Sequence, residues 1–151
     1  MNKKIVYVDM DNVLVDFPSA FSKVAPALLK EYAGRVDEVP NIFSLMDPLE
    51  GAIEAFNYLA ERCDLYILST APWENPSAWS DKLNWVKRYL GNSAHKRLIL
   101  SHNKNLNRGD ILIDDRTANG AGQFKGTFIK FGSTQFPNWE STLPYVIHLL
   151  E

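Results

Sequence analysis

The sequence predicts an α/β fold: a Rossmann-like, mainly parallel five-stranded sheet with helices on both faces and a small, reduced cap insertion after the first strand. Three observations carry this expectation. Five short apolar runs alternate along the chain with stretches whose apolar residues recur at helical spacing. The runs are continuous, as parallel strands covered on both faces are, where half-exposed strands would alternate. Four of the five end in, or lead directly to, Asp, Thr or Lys, at what would be the ligand-binding carboxyl edge of an open α/β sheet.

Each element has its own local reason. Ile5-Val6-Tyr7-Val8 is the first strand and runs into Asp9-Met10-Asp11-Asn12. From Phe17 to Tyr32 the apolar residues Phe17, Phe21, Val24, Leu28 and Leu29 keep a helix-like spacing that Pro18 and Pro26 interrupt, Pro18 being suited to a first turn. Gly34 to Asp47 is polar apart from Val39-Pro40-Asn41-Ile42-Phe43, so residues 17–48 read as a short cap insertion over the active edge within one domain, 1–151. Pro48-Leu49-Glu50-Gly51 turns the chain into a helix with Ala52, Ile53, Phe56, Leu59, Ala60 and Cys63 on one face. Leu65 to Ser69 is the second strand, stopping at Thr70-Ala71-Pro72.

After a loop over residues 73–78, Trp79, Leu83, Val86 and Leu90 mark the next helix, which Gly91 ends. Arg97 to Ser101 is the third strand, and the polar loop after it carries Lys104. Ile111-Leu112-Ile113 ends in Asp114-Asp115-Arg116, and a Gly- and Asn-rich segment then leads to the fifth strand, Thr127 to Phe131. A last helix is predicted from near Ser141-Thr142 through Val146, Leu149 and Leu150, provided Pro144 falls in its first turn.

Composition narrows the function classes. A net charge of −2 gives no general attraction to polyanions, so no extended nucleic-acid partner is expected. The one cysteine, Cys63, excludes an intrachain disulfide and reads as core. Only four apolar residues separate Lys4 from Asp9, too few for a signal-peptide core or a membrane span, and a cytoplasmic protein with no membrane partner is expected.

The chemistry gathers at the strand ends. Asp9 and Asp11 leave an extended chain on the same side, and two carboxylates so placed repel unless a cation lies between them. A hard divalent ion such as Mg²⁺ is the expected occupant. Acidic residues after a strand also serve as turn formers or caps, and a threonine before Ala71-Pro72 or a lone lysine is ordinary by itself. Together, Asp9, Asp11, Thr70, Lys104 and Asp114-Asp115, with Arg116 as a donor, supply carboxylates for a cation, a hydroxyl and an ammonium for phosphate oxygens, and a nucleophile. Phosphoryl transfer needs this inventory, because it depends on positioning and on neutralising the phosphoryl oxygens.

Asp9-x-Asp11-x-Val13, Thr70, Lys104 and Asp114-Asp115 resemble, in order, the four motifs of the haloacid dehalogenase superfamily of phosphohydrolases. Within it, Asp9 to Phe17, Pro48 to Ala52, Thr70-Ala71-Pro72, Trp85-Val86 and Ile113 to Arg116 resemble the 5′(3′)-deoxyribonucleotidase family, over residues 4–131. The resemblance implies Asp9 as the nucleophile that forms an aspartyl-phosphate, and Asp11 as the acid and base, with its backbone carbonyl on the metal. It implies Thr70 and Lys104 on the phosphoryl group, Mg²⁺ held by Asp9, Asp11, Asp114 and Asp115, Phe17 against the nucleobase and Lys82 near the phosphate. The implied substrate is a small phosphate ester, a nucleoside monophosphate and in particular a deoxyribonucleotide.

Two departures stand out. Asn12 occupies a position where the family has Gly, which Asn tolerates because it accepts left-handed backbone geometry. Residues 18–47 are short for the family's helical cap, implying a wetter site or one completed by a second subunit in a homodimer. A second reading keeps the mechanism and changes the ester to another metabolite or a nucleic-acid 3′-phosphate. A third, a non-catalytic phospho-acceptor of the receiver type, is opposed by motif order, since there the acidic pair closes the first strand and the phosphorylated Asp a later one.

Overall fold

A computed structural model describes residues 2–151. Its main sheet comprises β1 (Ile5–Val8), β4 (Asp64–Ser69), β5 (Leu98–Leu100), β6 (Ile111–Asp114) and β7 (Thr127–Lys130), in the order β5-β4-β1-β6-β7. Every pairing in it is parallel, with Val8 opposite Ile67 on one side and Ile113 on the other. The chain builds outward from β1 to β5, then returns to the other side of β1 for β6 and β7. That reversal opens a crevice at the carboxyl ends of β1 and β6, the usual ligand site of such sheets.

Each face of the sheet has its own core. Val6, Val8, Ile67, Ile111, Ile113 and Ile129 pack with Phe56 and Leu59 of α2 (Ala52–Ala60), Trp85 and Val86 of α3 (Pro76–Tyr89) and Val146 of α4 (Trp139–Leu150). On the opposite face Tyr7, Leu68 and Leu112 are covered by Ala121 and Phe124. The expected second helical layer is therefore a loop bearing a single 3₁₀ turn, Ala121–Gln123. Its Gly- and Asn-rich sequence disfavours a helix, and the large Tyr7, Tyr66 and Phe128 rings supply much of the cover themselves.

After β1 the insertion is tied into a two-stranded ribbon, β2 (Val15–Asp16) antiparallel to β3 (Asp47–Pro48). Between them lie a 3₁₀ segment Phe17–Lys23, the short helix α1 (Pro26–Glu31) and 3₁₀ turns at Val36–Glu38 and Ile42–Leu45. The helix-like spacing of residues 17–32 thus splits in two, with Pro26 in the first turn of α1, where its missing N–H costs nothing. Two side chains lock the insertion to α3 and the loop before it. Trp85 Nε1 donates to the Met46 carbonyl at 3.0 Å, and buried Asn75 donates to the carbonyls of Asp37 and Val39 at 2.9 and 3.0 Å.

Three local expectations shift. Cys63 is buried as expected, but just beyond the end of α2, its N–H on the Leu59 carbonyl. In α3, Trp79 and Leu83 are 37% and 43% exposed, while Ala78, Asp81, Lys82 and Trp85 turn inward. Apolar spacing misplaced this face because the helix buries a lysine toward a polar site. Helix α4 starts at Trp139, where Asn138 and Ser141 form a reciprocal capping box, so Pro144 falls in the second turn. Pro144 and Glu140, whose carbonyl loses its helical donor, are both exposed, so that carbonyl is not buried without a partner.

Candidate active site

The β1 ladder carries one residue past the strand: Asp9 N–H donates to the Ile113 carbonyl at 2.9 Å, which fixes Asp9 over the crevice. The chain then folds back. The Met10 carbonyl accepts from the N–H groups of Val13, Leu14 and Val15 at 3.0, 2.8 and 2.9 Å, and Asn12 takes φ +62°. Asparagine thus supplies the left-handed geometry expected of it at this position. Trp139 Nε1 pins the loop from α4, donating to the Val13 carbonyl at 2.7 Å.

Two buried ammonium groups organise the carboxylates. Lys104, in a 3₁₀ turn after β5, places Nζ 2.6 Å from Asp114 Oδ2 and 3.2 Å from Asp9 Oδ1. Its own N–H donates to the Asn119 carbonyl at 2.8 Å. The other Asp114 oxygen accepts from the Arg116 N–H at 3.0 Å. Lys82, 1% exposed, donates to Asp11 Oδ2 and Ser69 Oγ, each at 2.9 Å, and lies 4.6 Å from the centre of the Phe43 ring. Asp11 Oδ1 is buried without a hydrogen-bond partner. Thr70 donates its hydroxyl proton to the Ser101 carbonyl at 2.7 Å.

These groups open onto a cavity of about 610 Å³. Asp9, Asp11, Thr70, Lys104, Asp115 and Arg116 line one part of it, and Phe17, Gly34, Val36, Asp37 and Phe43 of the insertion line another. Phe17 meets Phe43 edge to face with ring centres 5.7 Å apart, so it packs against the insertion and lines the cavity as well. Lys82 is absent from that lining; its ammonium reaches the Asp11 carboxylate from behind. The polar stretch that holds Gly34, Val36 and Asp37 has no pattern marking it as a cavity wall. Asn75, just before Pro76, looks in sequence like a simple helix cap.

Burial without full compensation perturbs the acids. Asp9 is pushed up to about 6, chiefly by desolvation, with Lys104 opposing and Asp114 and Asp11 reinforcing the rise. Asp115 is likewise pushed up to about 6 by desolvation and then by Asp9. Burial raises Asp114 as well, against the pull of Lys104. Burial works against the Lys104 charge, but Asp9 and Asp114 outweigh it and hold the ammonium above its ordinary range.

Asp9, Asp114 and Asp115 each offer an oxygen, all within 4.8 Å of one another, a donor set suited to a hard oxygen-seeking cation. The Asp11 carboxylate lies outside that triad, held by Lys82. The structure thus brings the sequence-predicted Asp9, Asp11, Thr70, Lys104, Asp114, Asp115, Arg116 and Phe17 to one edge of the sheet.

A parallel sheet in this order, with acids at the ends of β1 and β6, has the architecture of the haloacid dehalogenase-type hydrolases. The chain resembles a magnesium-bound hydrolase of this type from Bacillus subtilis with a TM-score of 0.64 at 14% identity, covering 100% of both chains. A hydrolase from Streptococcus pneumoniae gives 0.56 at 11% identity, with 98% of this chain and 100% of that one covered. In sequence, residues 31–139 match the family described as 5′ nucleotidase, deoxy (pyrimidine), cytosolic type C protein. A Vibrio phage KVP40 protein, provisionally named a 5′(3′)-deoxyribonucleotidase, is 57% identical over 96% of this chain and 85% of its own. The 5′(3′)-deoxyribonucleotidase of Bacillus subtilis is 28% identical over 85% of each. The chain belongs to the 5′(3′)-deoxyribonucleotidase family of phosphomonoesterases. Among its described residues no helix is long and apolar enough to cross a membrane.

Proposed function

We propose that the chain hydrolyses deoxyribonucleoside monophosphates with Asp9 as nucleophile and Asp11 as acid and base, and that residues 17–48 act as a reduced cap. The observation that carries this reading is the pairing of acids with ammoniums at the crevice. Asp9 belongs to the acidic triad beside Lys104, while Asp11 is held apart on Lys82 with one oxygen unpartnered.

An Asp9 oxygen attacks phosphorus, the ester P–O bond breaks, and the departing alkoxide takes the proton that Asp11 holds. Asp11, now a carboxylate, accepts a proton from water as that water attacks phosphorus; the bond to Asp9 breaks and phosphate leaves. Lys104 faces the charge that builds on the phosphoryl oxygens, and the Thr70 hydroxyl serves them by rotating away from Ser101. Asp9, Asp114, Asp115 and the Asp11 backbone carbonyl would hold Mg²⁺, which when bound would lower the repulsion between an anionic nucleophile and an anionic substrate. The Phe17 and Phe43 rings offer the base an apolar wall from within the same chain, which supports the cap assignment.

The test is phosphate release from 5′- and 3′-deoxyribonucleotides, ribonucleotides, sugar phosphates and p-nitrophenyl phosphate, with and without Mg²⁺, in wild type and Asp9→Asn. Mg²⁺-dependent turnover that favours deoxyribonucleotides and vanishes in the variant is expected. Turnover of the aryl ester alone overturns the nucleotide assignment, and Asp9-independent turnover overturns the nucleophile.

A further inference from the structure

Ser69 closes the apolar run of β4, and it is fully buried. The neighbouring strand end clamps its backbone. Ser101 N–H donates to the Ser69 carbonyl at 2.8 Å, and the Thr70 hydroxyl donates to the Ser101 carbonyl at 2.7 Å. The Ser69 hydroxyl oxygen accepts from Lys82 Nζ at 2.9 Å, the one hydrogen bond that this side chain makes among the described residues. A buried hydroxyl without a partner is costly, so the lysine accounts for the serine.

Lys82 reaches this point on a flexible stem with three N–H donors, and at 1% exposure it has no water to give them to. Asp11 Oδ2 takes one donor and Ser69 Oγ another, each at 2.9 Å, and the Phe43 ring centre lies 4.6 Å from the nitrogen. These three supports differ in what holds them. Asp11 lies on the bent loop after β1 and Phe43 on a 3₁₀ turn of the insertion, whereas Ser69 belongs to the central sheet. Without the Ser69 hydroxyl, Lys82 keeps a buried donor unpaired, and its only remaining hydrogen bond is to the carboxylate that it holds in place.

We infer that Ser69 is a positioning residue for the proton that the leaving group takes: by fixing Lys82 it fixes the Asp11 carboxyl. This rests on the reading of Asp11 as the acid and adds a residue to it. As the Asp9 oxygen bonds to phosphorus, the ester P–O bond breaks, its electron pair stays on the ester oxygen, and the Asp11 proton passes to that oxygen. The transfer requires the carboxyl within hydrogen-bond reach. How much it matters depends on the ester. The alcohol of a deoxynucleoside departs as a strongly basic alkoxide and needs the proton, while p-nitrophenolate is a weak base and departs without it. A misplaced Asp11 therefore penalises the nucleotide and spares the aryl ester.

The experiment measures kcat/KM of the full chain with Mg²⁺ for thymidine 5′-monophosphate and p-nitrophenyl phosphate, in wild type, Ser69→Ala, Ser69→Cys, Lys82→Met and the Lys82→Met, Ser69→Ala double variant. Cysteine keeps the bulk of the side chain and offers only a weak acceptor. In both single Ser69 variants the ratio of nucleotide to aryl ester should fall by about 10- to 100-fold, the worth of a hydrogen bond to a charged group. On the Lys82→Met background Ser69→Ala should leave the ratio where it is, because the serine acts through the lysine. Each ratio is taken within one preparation, so a loss of folded protein cancels. An equal loss on both esters overturns the assignment, being the mark of a structural role. A wild-type ratio in Ser69→Cys overturns it too, since the serine would then only fill space, as does a further fall on the Lys82→Met background. Asp11→Asn tests the underlying reading separately: in its first turnover it should release p-nitrophenol and no thymidine. Thymidine released as fast as p-nitrophenol overturns Asp11 as the acid and the role of Ser69 with it; failure of the Ser69 variants alone overturns only the latter.

Discussion

Replacing Asp115 by Asn should make the metal-free protein more stable at neutral pH and less able to bind Mg²⁺. In the folded chain burial and Asp9 push Asp115 up to about 6 from 3.8. Below pH 4 the carboxyl is protonated in both states and costs nothing. Between about pH 4 and 6 the unfolded chain releases the proton first, the folded chain binds more protons, and stability falls as pH rises. At pH 7.5 the folded protein carries the full penalty. A shift of this size corresponds to about 3 kcal/mol, and solvent access to a half-buried group reduces it to about 1–2 kcal/mol. Asn has the same shape and no charge, so the metal-free variant should melt about 3–6 °C higher at pH 7.5 and at the wild-type temperature at pH 4.

Magnesium should reverse the ranking. A cation at one hundred times its dissociation constant stabilises the folded state by about 2.7 kcal/mol, and loss of one carboxylate ligand should weaken binding about 10- to 100-fold. Thermal melts at pH 4 and 7.5, with EDTA and with a Mg²⁺ titration, test both halves. A variant less stable than wild type at pH 7.5 in EDTA would refute the electrostatic account, since Asp115 would then be a net structural contributor. Equal Mg²⁺ stabilisation of the two proteins would remove Asp115 from the metal site.

Lys82→Met strips the donor from Asp11 and Ser69 in a buried setting; with Asp11 a quarter exposed, a loss of about 2–4 kcal/mol by urea denaturation is expected, along with a lower kcat. Trp85→Phe keeps the ring packing but leaves the Met46 carbonyl without its donor, so the urea midpoint should drop by an amount worth about 1–3 kcal/mol and KM should rise as the insertion loosens. Phe56→Ala, fully buried under the sheet, should cost about 3–5 kcal/mol by the same measurement and leave KM for the residual folded enzyme unchanged.

The strands were legible because burial on both faces leaves no other reading of runs such as Ile5 to Val8 and Ile111 to Ile113, and the acids that end them mark the edge. The site was legible where residues come singly from strand ends, as Asp9, Thr70 and Asp114 do. Sequence periodicity failed on α3. It assumes that the inner face is apolar, but this helix buries Lys82 and Asp81 and exposes Leu83. The insertion was opaque for another reason. Its place is set by single long-range hydrogen bonds from Asn75 and Trp85 to backbone carbonyls, which any sequence can accept and no local pattern announces. The single helical cover was missed because alternating elements fix the sheet, while loop composition fixes how its second face is closed.

The two lysines explain where the proposed cation would go. Asp114 has Lys104 at 2.6 Å and Asp11 has Lys82 at 2.9 Å, so each of those acids has an ammonium close to itself. Asp9 takes only the longer side of Lys104, at 3.2 Å, and Asp115 makes no ion pair within the described residues. Asp9 and Asp115 are thus the two acids without a close ammonium of their own, both pushed up to about 6 and both on the cavity wall. A divalent cation beside them would offset the charge that those two acids carry. Asp9 then stays ionised as a nucleophile at neutral pH, and the anionic phosphate enters a site whose remaining charge no longer opposes it. Lys82 is free to serve Asp11 because Lys104 and the cation serve Asp9. Since Lys82 also packs against Phe43, the carboxyl proposed to move the proton is held in register with the wall proposed to hold the base.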